Sequence, residues 1–393
     1  MEKKNMREVA VLGVGMTKFG PSSLGLKELF AEAALEAIES SHLTAKDMQA
    51  LVIGNVLGDF AEGQMNLAPL LADEIGMGAH APATRVEGGC ASASVAFRDA
   101  FMWVASGFYD IVLVGGVEKF THMGTPQVGR TLAMIEDAHY EEFTGLTFPG
   151  VFAMLAHQYA DKYGIPLPVL KERMARVAVK NHHHGTMNPL AQFQKEITVE
   201  KVLSSPMVCD PLQVLDCCPI SDGAAAAVLT TREIAEKKVA KPIKVLGVGQ
   251  GNGAVLSRQK DFTVMRARLS SSSQAYKMAG IEPKHVDVVE LHDCFTIAEI
   301  VASECLGFFE FGKGSVAAEV GETSLGGRVP INPSGGLKSK GHPVGATGCA
   351  QVYEIAKQLR EECGPRQVDG ARIGMTDTLG GTGTVVVNLI LGR

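Results

Sequence analysis

The sequence predicts an α/β fold made of two similar halves, and two observations carry that expectation. The first is a letter-for-letter repeat: Val11-Leu12-Gly13-Val14-Gly15 recurs as Val245-Leu246-Gly247-Val248-Gly249. The second is that the same elements come after each copy in the same order. Residues 26–38 have a helical apolar period and 43–54 run through a charged turn into a strand, while 270–279 and 281–292 repeat that pattern. Each half then meets a glycine-rich turn that opens a helix, Gly88-Gly89-Cys90 in one and Gly341-His342-Pro343-Val344-Gly345-Ala346-Thr347-Gly348 in the other. Each closes on a strand that runs into glycines, at 111–116 and 373–381. Strands alternating with helices imply largely parallel sheets covered on both faces.

Residues 121–215 have no counterpart in the second half and are expected to form an inserted loop domain. Within it, 148–163 and 169–181 read as helices and 211–219 as a turn-rich return. Residues 215–230 are expected to rejoin the first half as a buried strand, with Cys217 and Cys218 lining it. The first half is therefore 1–120 plus 216–240, and the second is 241–393.

A chain of 393 residues can bury more than one core, and 46% hydrophobic with 20% charged residues describes an ordinary soluble protein. A net charge of −6 argues against nucleic-acid binding, although a local basic patch can still seat a small polyanion. The eight cysteines have no CxxC spacing, which points to reduced thiols in a cytosolic enzyme. The charged start at residues 1–5 and the short apolar run at 9–14 do not form a signal peptide, so a cytoplasmic location is expected.

Cys90 stands at the first turn of a helix, facing unpaired backbone N–H groups and the positive end of the helix dipole. Both favour a thiolate and can hold a developing oxyanion. His292-Asp293-Cys294-Phe295 follows the strand at 286–291 and precedes a helix at 295–306, so Cys294 occupies the same kind of position. Ligands of open α/β sheets sit beyond the carboxyl ends of strands, where Cys90, His292 and His342 all fall. A pseudo-twofold axis would bring them together, supplying nucleophile, base, oxyanion donor and proton carrier. The run His182-His183-His184 has no ligand spacing around it; a packing role is expected there, and no metal.

On these motifs the chain resembles the thiolase superfamily over nearly its whole length. Gly88-Gly89-Cys90-Ala91-Ser92 resembles the nucleophile motif, and the Gly341–Gly348 string resembles the motif whose histidine activates that cysteine. His292-Asp293-Cys294-Phe295 is similar to the form found in sterol-carrier-protein-type and archaeal-type thiolases. The resemblance implies a five-layer αβαβα fold of two mixed-sheet halves. It also implies thiolytic cleavage, or reverse Claisen condensation, of a 3-oxoacyl-CoA with coenzyme A as co-substrate. One departure stands out: the C-terminal cysteine of the family's Cys-x-Gly is Thr378 here, before Leu379-Gly380. Cys294 is the expected replacement for proton transfer, and Gly380 is expected to keep its N–H as an oxyanion donor beside Cys90.

The resemblance extends to coenzyme A, acyl group and partners. Arg258 and Lys260, with Arg266 and Arg268, are candidates for the CoA phosphates, and Ser334 with Gly335 for the pantetheine arm. Acetoacetyl-CoA or a bulkier ester such as benzoylsuccinyl-CoA is the implied substrate. A homodimer or dimer of dimers is expected, with a small zinc-ribbon/OB-fold protein as a further partner. Two alternatives share the features: a 3-oxoacyl synthase-like condensing enzyme and a non-catalytic acyl-CoA-binding scaffold.

Overall fold

The repeated pentapeptide forms two equivalent strands, and its glycines explain why it repeats. The structure, a computed structural model, describes residues 6–393; residues 1–5, part of the signal-peptide expectation, lie outside the described residues. The principal strands are β1 (Val9–Met16), β2 (Ala50–Gly54), β3 (Ala83–Val86), β4 (Ile111–Glu118), β5 (Gly223–Thr231), β6 (Ile243–Asn252), β7 (Val288–Glu290), β8 (Ile373–Gly380) and β9 (Val385–Gly392). The helices that matter for the site are α1 (Leu26–Ser40), α2 (Ser92–Ser106), α3 (Thr125–Ala133), α4 (Phe148–Tyr163), α5 (Leu167–Thr186), α6 (Arg266–Ala279), α7 (Thr296–Cys305) and α8 (Thr347–Arg360).

The strand order β3-β2-β4-β5-β1-β6-β9-β8-β7 is nearly palindromic about its centre. There β1 and β6, the two pentapeptide strands, pair antiparallel, with Ala10 opposite Lys244 and Val11 opposite Ile243. Outward from that seam each half repeats the same pairings: β1–β5–β4 and β6–β9–β8 are antiparallel, then β4–β2–β3 and β8–β7 are parallel. Ile331 bridges Val289 in parallel, standing where the second half would place its copy of β3. The sheet is thus mixed, and the largely parallel arrangement read from strand–helix alternation holds only for the outer strands.

Five layers result. Helix α1 covers the outer face of the first half, packing Phe30 and Ala34 on Leu12 and Leu51. Between the halves lie α2 and α8, whose Phe97, Val352 and Ile355 share one core with both sheets. On the far side, Ala275 and Tyr276 of α6 pack with Leu291 and Ile390. A Cβ at Gly13 or Gly15 would lie 2.0 or 2.1 Å from the carbonyl oxygens of Ala37 and Ala33 on α1. At Gly247 and Gly249 it would lie 2.2 and 1.9 Å from those of Ala275 and Ser271 on α6. Each pentapeptide is therefore the strand on which its half's helix rests backbone to backbone, an approach only glycine permits.

The insertion packs a small cluster of its own around Ala175, Ala178 and Val202, but its longest helices join the core of the second half. Phe152, Leu155 and Tyr159 of α4 and Met174 of α5 pack against Phe295, Ile297 and Val301 of the second half. The return to the first half also differs from expectation. A 3-10 turn at Val214–Asp216 and an irregular stretch through 222 come first, and the buried strand begins at Gly223, so Cys217 and Cys218 lie ahead of it. Pro219 cannot donate to a ladder, and the Asp222 carboxylate accepts from the Phe120 and Thr121 amides instead of continuing a strand. All eight cysteines are free. Among the described residues no helix is long and apolar enough to cross a membrane.

Because a side chain at Gly249 would overlap the Ser271 carbonyl, Gly249→Val is expected to destabilise the protein by about 3 kcal/mol or more. A fall in the urea midpoint at constant slope checks this.

Candidate active site

Cys90 is fixed by the turn that precedes α2. Gly89 takes φ +55, and the Ser92 hydroxyl donates to the Gly89 carbonyl at 2.6 Å while accepting from the Gly88 amide at 2.9 Å. From the other half, His342 enters on a turn that ends at the start of α8. Three glycines of its motif are spaced by what they touch. A Cβ on Gly341 would lie 2.7 Å from Ser221 Oγ, one on Gly345 2.7 Å from Glu118 Oε2, and one on Gly348 2.1 Å from Ser94 Oγ. The result is convergence: the Cys90 sulfur and one ring nitrogen each of His292 and His342 lie within 4.8 Å of one another. The two imidazoles meet edge to face, centroids 4.9 Å apart.

The hydrogen bonds fix the tautomer of His342. Thr347 Oγ1 donates its only proton to the Pro343 carbonyl at 3.0 Å, so at 2.7 Å from His342 Nδ1 it must accept. Nδ1 therefore carries the ring proton, and Nε2 presents a lone pair. The His342 amide is held in turn by Ser221 Oγ at 2.9 Å. His292 is held differently: its Nδ1 is buried with no hydrogen-bond partner among the described residues.

Burial sets the charge state. It pushes the Cys90 thiol up to about 12, against the lowering effect of the Gly381 amide, with Glu118 and Glu136 adding to the rise. Burial, then His292 and Lys340, hold His342 well below its ordinary value, and burial with Arg268 takes His292 down to about 3. The thiolate expected from the helix N-terminus is thus outweighed by desolvation. The resting pair is a thiol beside a neutral imidazole.

A cavity of about 400 Å³ opens on these groups, lined by Cys90, His292, Cys294, His342 and Gly381 among mostly apolar side chains. Residues 9–233 match the family described as "Thiolase, N-terminal domain", and residues 250–393 match "Thiolase C-terminal domain-like". The chain belongs to the thiolase family. It is a thiolase-type acyltransferase, which sets aside the synthase-like and scaffold alternatives. It is 43% identical over 390 residues to an acetyl-CoA acetyltransferase of Methanothermobacter thermautotrophicus, covering 99% of this chain and 100% of that one. It is 36% identical to benzoylsuccinyl-CoA thiolase subunit BbsB of Thauera aromatica, covering 95% of each. Among solved structures, the Ltp2-ChsH2(DUF35) aldolase superposes with a TM-score of 0.84 at 26% identity, covering 99% of both chains.

Within this thiolase the remaining sequence candidates divide. Cys294 lines the cavity, its thiol raised well above the usual range by burial, Cys218 and Cys90. Thr378 does not line it; fully buried, it donates to Gln351 Oε1 at 2.6 Å and meets Ser94 Oγ at 2.7 Å. The amide aimed at the Cys90 sulfur is that of Gly381, and Gly380 instead packs under Gly88, where a Cβ would lie 2.2 Å from the carbonyl oxygen. Ser334 and Gly335 do not reach the cavity. Ser334 donates to Glu290 Oε2 at 2.6 Å and Gly335 packs on Gly185, so the pantetheine assignment fails. Arg268 is completely buried against Asp377 at 2.9 Å and faces no ligand. Arg258, Lys260 and Arg266 do line a cleft of about 340 Å³, which ends at Gly383 beside the Gly381 turn. The three histidines diverge: His182 stacks on Phe193, His183 pairs with Glu196, and His184 reaches the Asn332 carbonyl.

Two positioning residues escaped the sequence reading. Glu118 accepts from the Val56, Leu57 and Gly345 amides at 2.9, 3.0 and 3.1 Å, tying the His342 turn to the first half. It ends an ordinary apolar strand and carries no pattern. Thr347 lay inside the histidine motif, and its hydroxyl four residues after Pro343 was the available signal.

With a thiol pushed to about 12, Cys90 alkylation by iodoacetamide is expected to rise about tenfold per pH unit from pH 7 to 9. Peptide mapping by mass spectrometry checks this; a rate that stays flat over that range would show a preformed thiolate.

Proposed function

We propose that this thiolase cleaves or forms a 3-oxoacyl-CoA through an acyl-Cys90 thioester, with Cys90, His342, His292 and Cys294 each carrying one step. The observation that carries the reading is the Cys90 sulfur lying beside His342, whose ring proton Thr347 locks onto Nδ1. In the cleavage direction the Cys90 sulfur attacks the 3-keto carbon while its proton passes to His342 Nε2. The Gly380 and Cys90 amides are the proposed donors to the oxygen that becomes negative. Breaking the bond between C2 and C3 leaves the acyl group on Cys90 and an enolate of the departing acyl-CoA. His292 stabilises the enolate oxygen and Cys294 delivers a proton to its carbon. Cys294 then takes the thiol proton of an incoming CoA, whose sulfur attacks the acyl-Cys90 carbonyl and releases the enzyme.

Arg258 and Lys260 are the proposed seat of the CoA phosphates, supported by their cleft ending at Gly383 near the catalytic turn. The acyl end is supported as roomy and apolar by Phe120, Phe148, Phe152 and Phe295. Such a cavity suits an ester larger than the acetyl group in the archaeal relative's name and of the size of the benzoylsuccinyl group in the other's. A homo-oligomer and a small partner protein are further proposals; the second draws on the word "subunit" in one relative's name and on the DUF35 protein in the aldolase complex.

Cys90→Ala is expected to lower acyl transfer by at least about four orders of magnitude and to leave CoA affinity nearly intact by calorimetry. Intact-mass analysis should show no acyl adduct on that variant. For Cys294→Ala the expected loss is about 10²–10⁴ in kcat with acylation of Cys90 still detectable by mass. Turnover near the parent rate would hand the proton step to water.

A further inference from the structure

One charge in the cavity wall is used by none of these steps. Lys338 sits on the short helical turn Gly336–Ser339 ahead of His342, is 1% exposed, and lines the acyl cavity. The other buried basic side chains each meet a carboxylate: Lys180 with Glu299 at 2.8 Å, Lys340 with Glu290 at 3.1 Å, Arg268 with Asp377 at 2.9 Å, and Arg366 with Glu354 at 3.0 Å. Among the described residues Lys338 forms no ion pair and donates only to the Cys217 carbonyl. The acids whose charge Lys338 feels, Asp216 and Asp293, are already engaged. Asp216 accepts from the Gln213 amide at 2.9 Å and Thr296 Oγ1 at 2.8 Å. Asp293 accepts from the Leu337 amide at 2.7 Å and Asn181 Nδ2 at 2.8 Å.

An ammonium has three donors, and burying one without a counter-ion is costly unless a partner arrives. The surrounding wall is apolar, and Phe193, Leu215 and Pro219 cannot supply that partner. His182, on the same wall, adds a second polar group and feels the Lys338 charge. Lys338, Cys218 and Cys90 line the same cavity, so the ammonium and the reacting sulfur face one substrate-sized space.

We propose that Lys338 determines acyl specificity and that the substrates are 3-oxoacyl-CoA esters whose acyl chain carries a second carboxylate. The inference rests on the acyl-Cys90 reading and adds the substrate class. The carboxylate replaces the missing counter-ion, and the thiolysis step is unchanged. A site built around a buried donor discriminates strongly against a ligand that leaves it unpaired.

The test compares matched esters on the full-length protein: 3-oxoadipyl-CoA against 3-oxohexanoyl-CoA, and the eight-carbon dicarboxylic ester against 3-oxooctanoyl-CoA. The parent protein is expected to favour the carboxylate ester in kcat/KM by about 30-fold at one chain length or both. Lys338→Met is expected to bring that ratio to about one or below, and Lys338→Arg to retain part of it. A parent ratio below one at both lengths, with the uncharged esters turned over, overturns the proposal and leaves the acyl-Cys90 reading standing. A ratio that Lys338→Met does not change, with or without loss of thermal stability, also overturns it and makes Lys338 a distant counter-ion of Asp216 and Asp293. Should Lys338→Met fail to fold, the parent ratio decides alone. Absence of thiolysis and of a Cys90 adduct with all the esters would remove the parent reading together with this one.

Discussion

The two central helices touch backbone to side chain where Gly348 of α8 meets Ser94 of α2, and the catalytic centre depends on that contact. Any Cβ at 348 would sit 2.1 Å from Ser94 Oγ. A second approach a few residues earlier, at Gly116 against the Gly345 carbonyl, is closer still at 2.0 Å. With the helix starts held this near, the residue ahead of each first turn has one place to go. Cys90 comes from one half, His342 from the other, and the Glu118 carboxylate sews the seam by accepting an amide from the far half. Separating those backbones by the width of a methyl group would pull the sulfur away from its base.

Bringing the groups together also dries them, and the two effects oppose each other. A helix N-terminus stabilises a thiolate by fractions of a kcal/mol to about 2. Complete burial works against the anion far more strongly, and the nearby Glu118 and Glu136 add to it. The same dryness keeps both imidazoles neutral. What results is a thiol–imidazole pair that carries no charge at rest and acquires it only as bonds change, where oriented backbone amides act with little competition from water.

The insertion completes what the symmetric core leaves open. Residues 188–193 lie along the end of the helical turn that leads to His342: the Gln192 and Phe193 amides donate to the Lys340 and Ser339 carbonyls, and Gln192 Oε1 accepts from the Ser221 hydroxyl that holds the His342 amide. From there Phe193, with Phe148 and Phe152 of α4, roofs the cavity. The two halves thus furnish the reacting groups, whereas the acyl chain would meet chiefly the insertion and the loop at 215–220. Substrate range can then diverge without disturbing the centre.

The sequence by itself determined the elements that local chemistry and repetition announce. The pentapeptide pair gave away the two halves because helix-on-strand contact demands glycine at those four positions, and α4 at Phe148–Tyr163 was legible from its apolar period. Cys90, His292, Cys294 and His342 were legible because turn glycines and helix starts are local features. Tertiary structure alone decided matters that depend on what lies opposite. It turned the centre of the sheet antiparallel, since pairing across the seam leaves no mark in either strand. It sent Thr378 into the interior toward Gln351, aimed the Gly381 amide at the Cys90 sulfur, and spent Ser334 on Glu290 and Arg268 on Asp377. Among the described residues it also left Lys338 without an ion pair, while Lys180, Arg268, Lys340 and Arg366 each found a carboxylate. A sequence names the groups available for pairing, but the partner and the solvent that each one loses are fixed by residues on other elements, tens to hundreds of positions away.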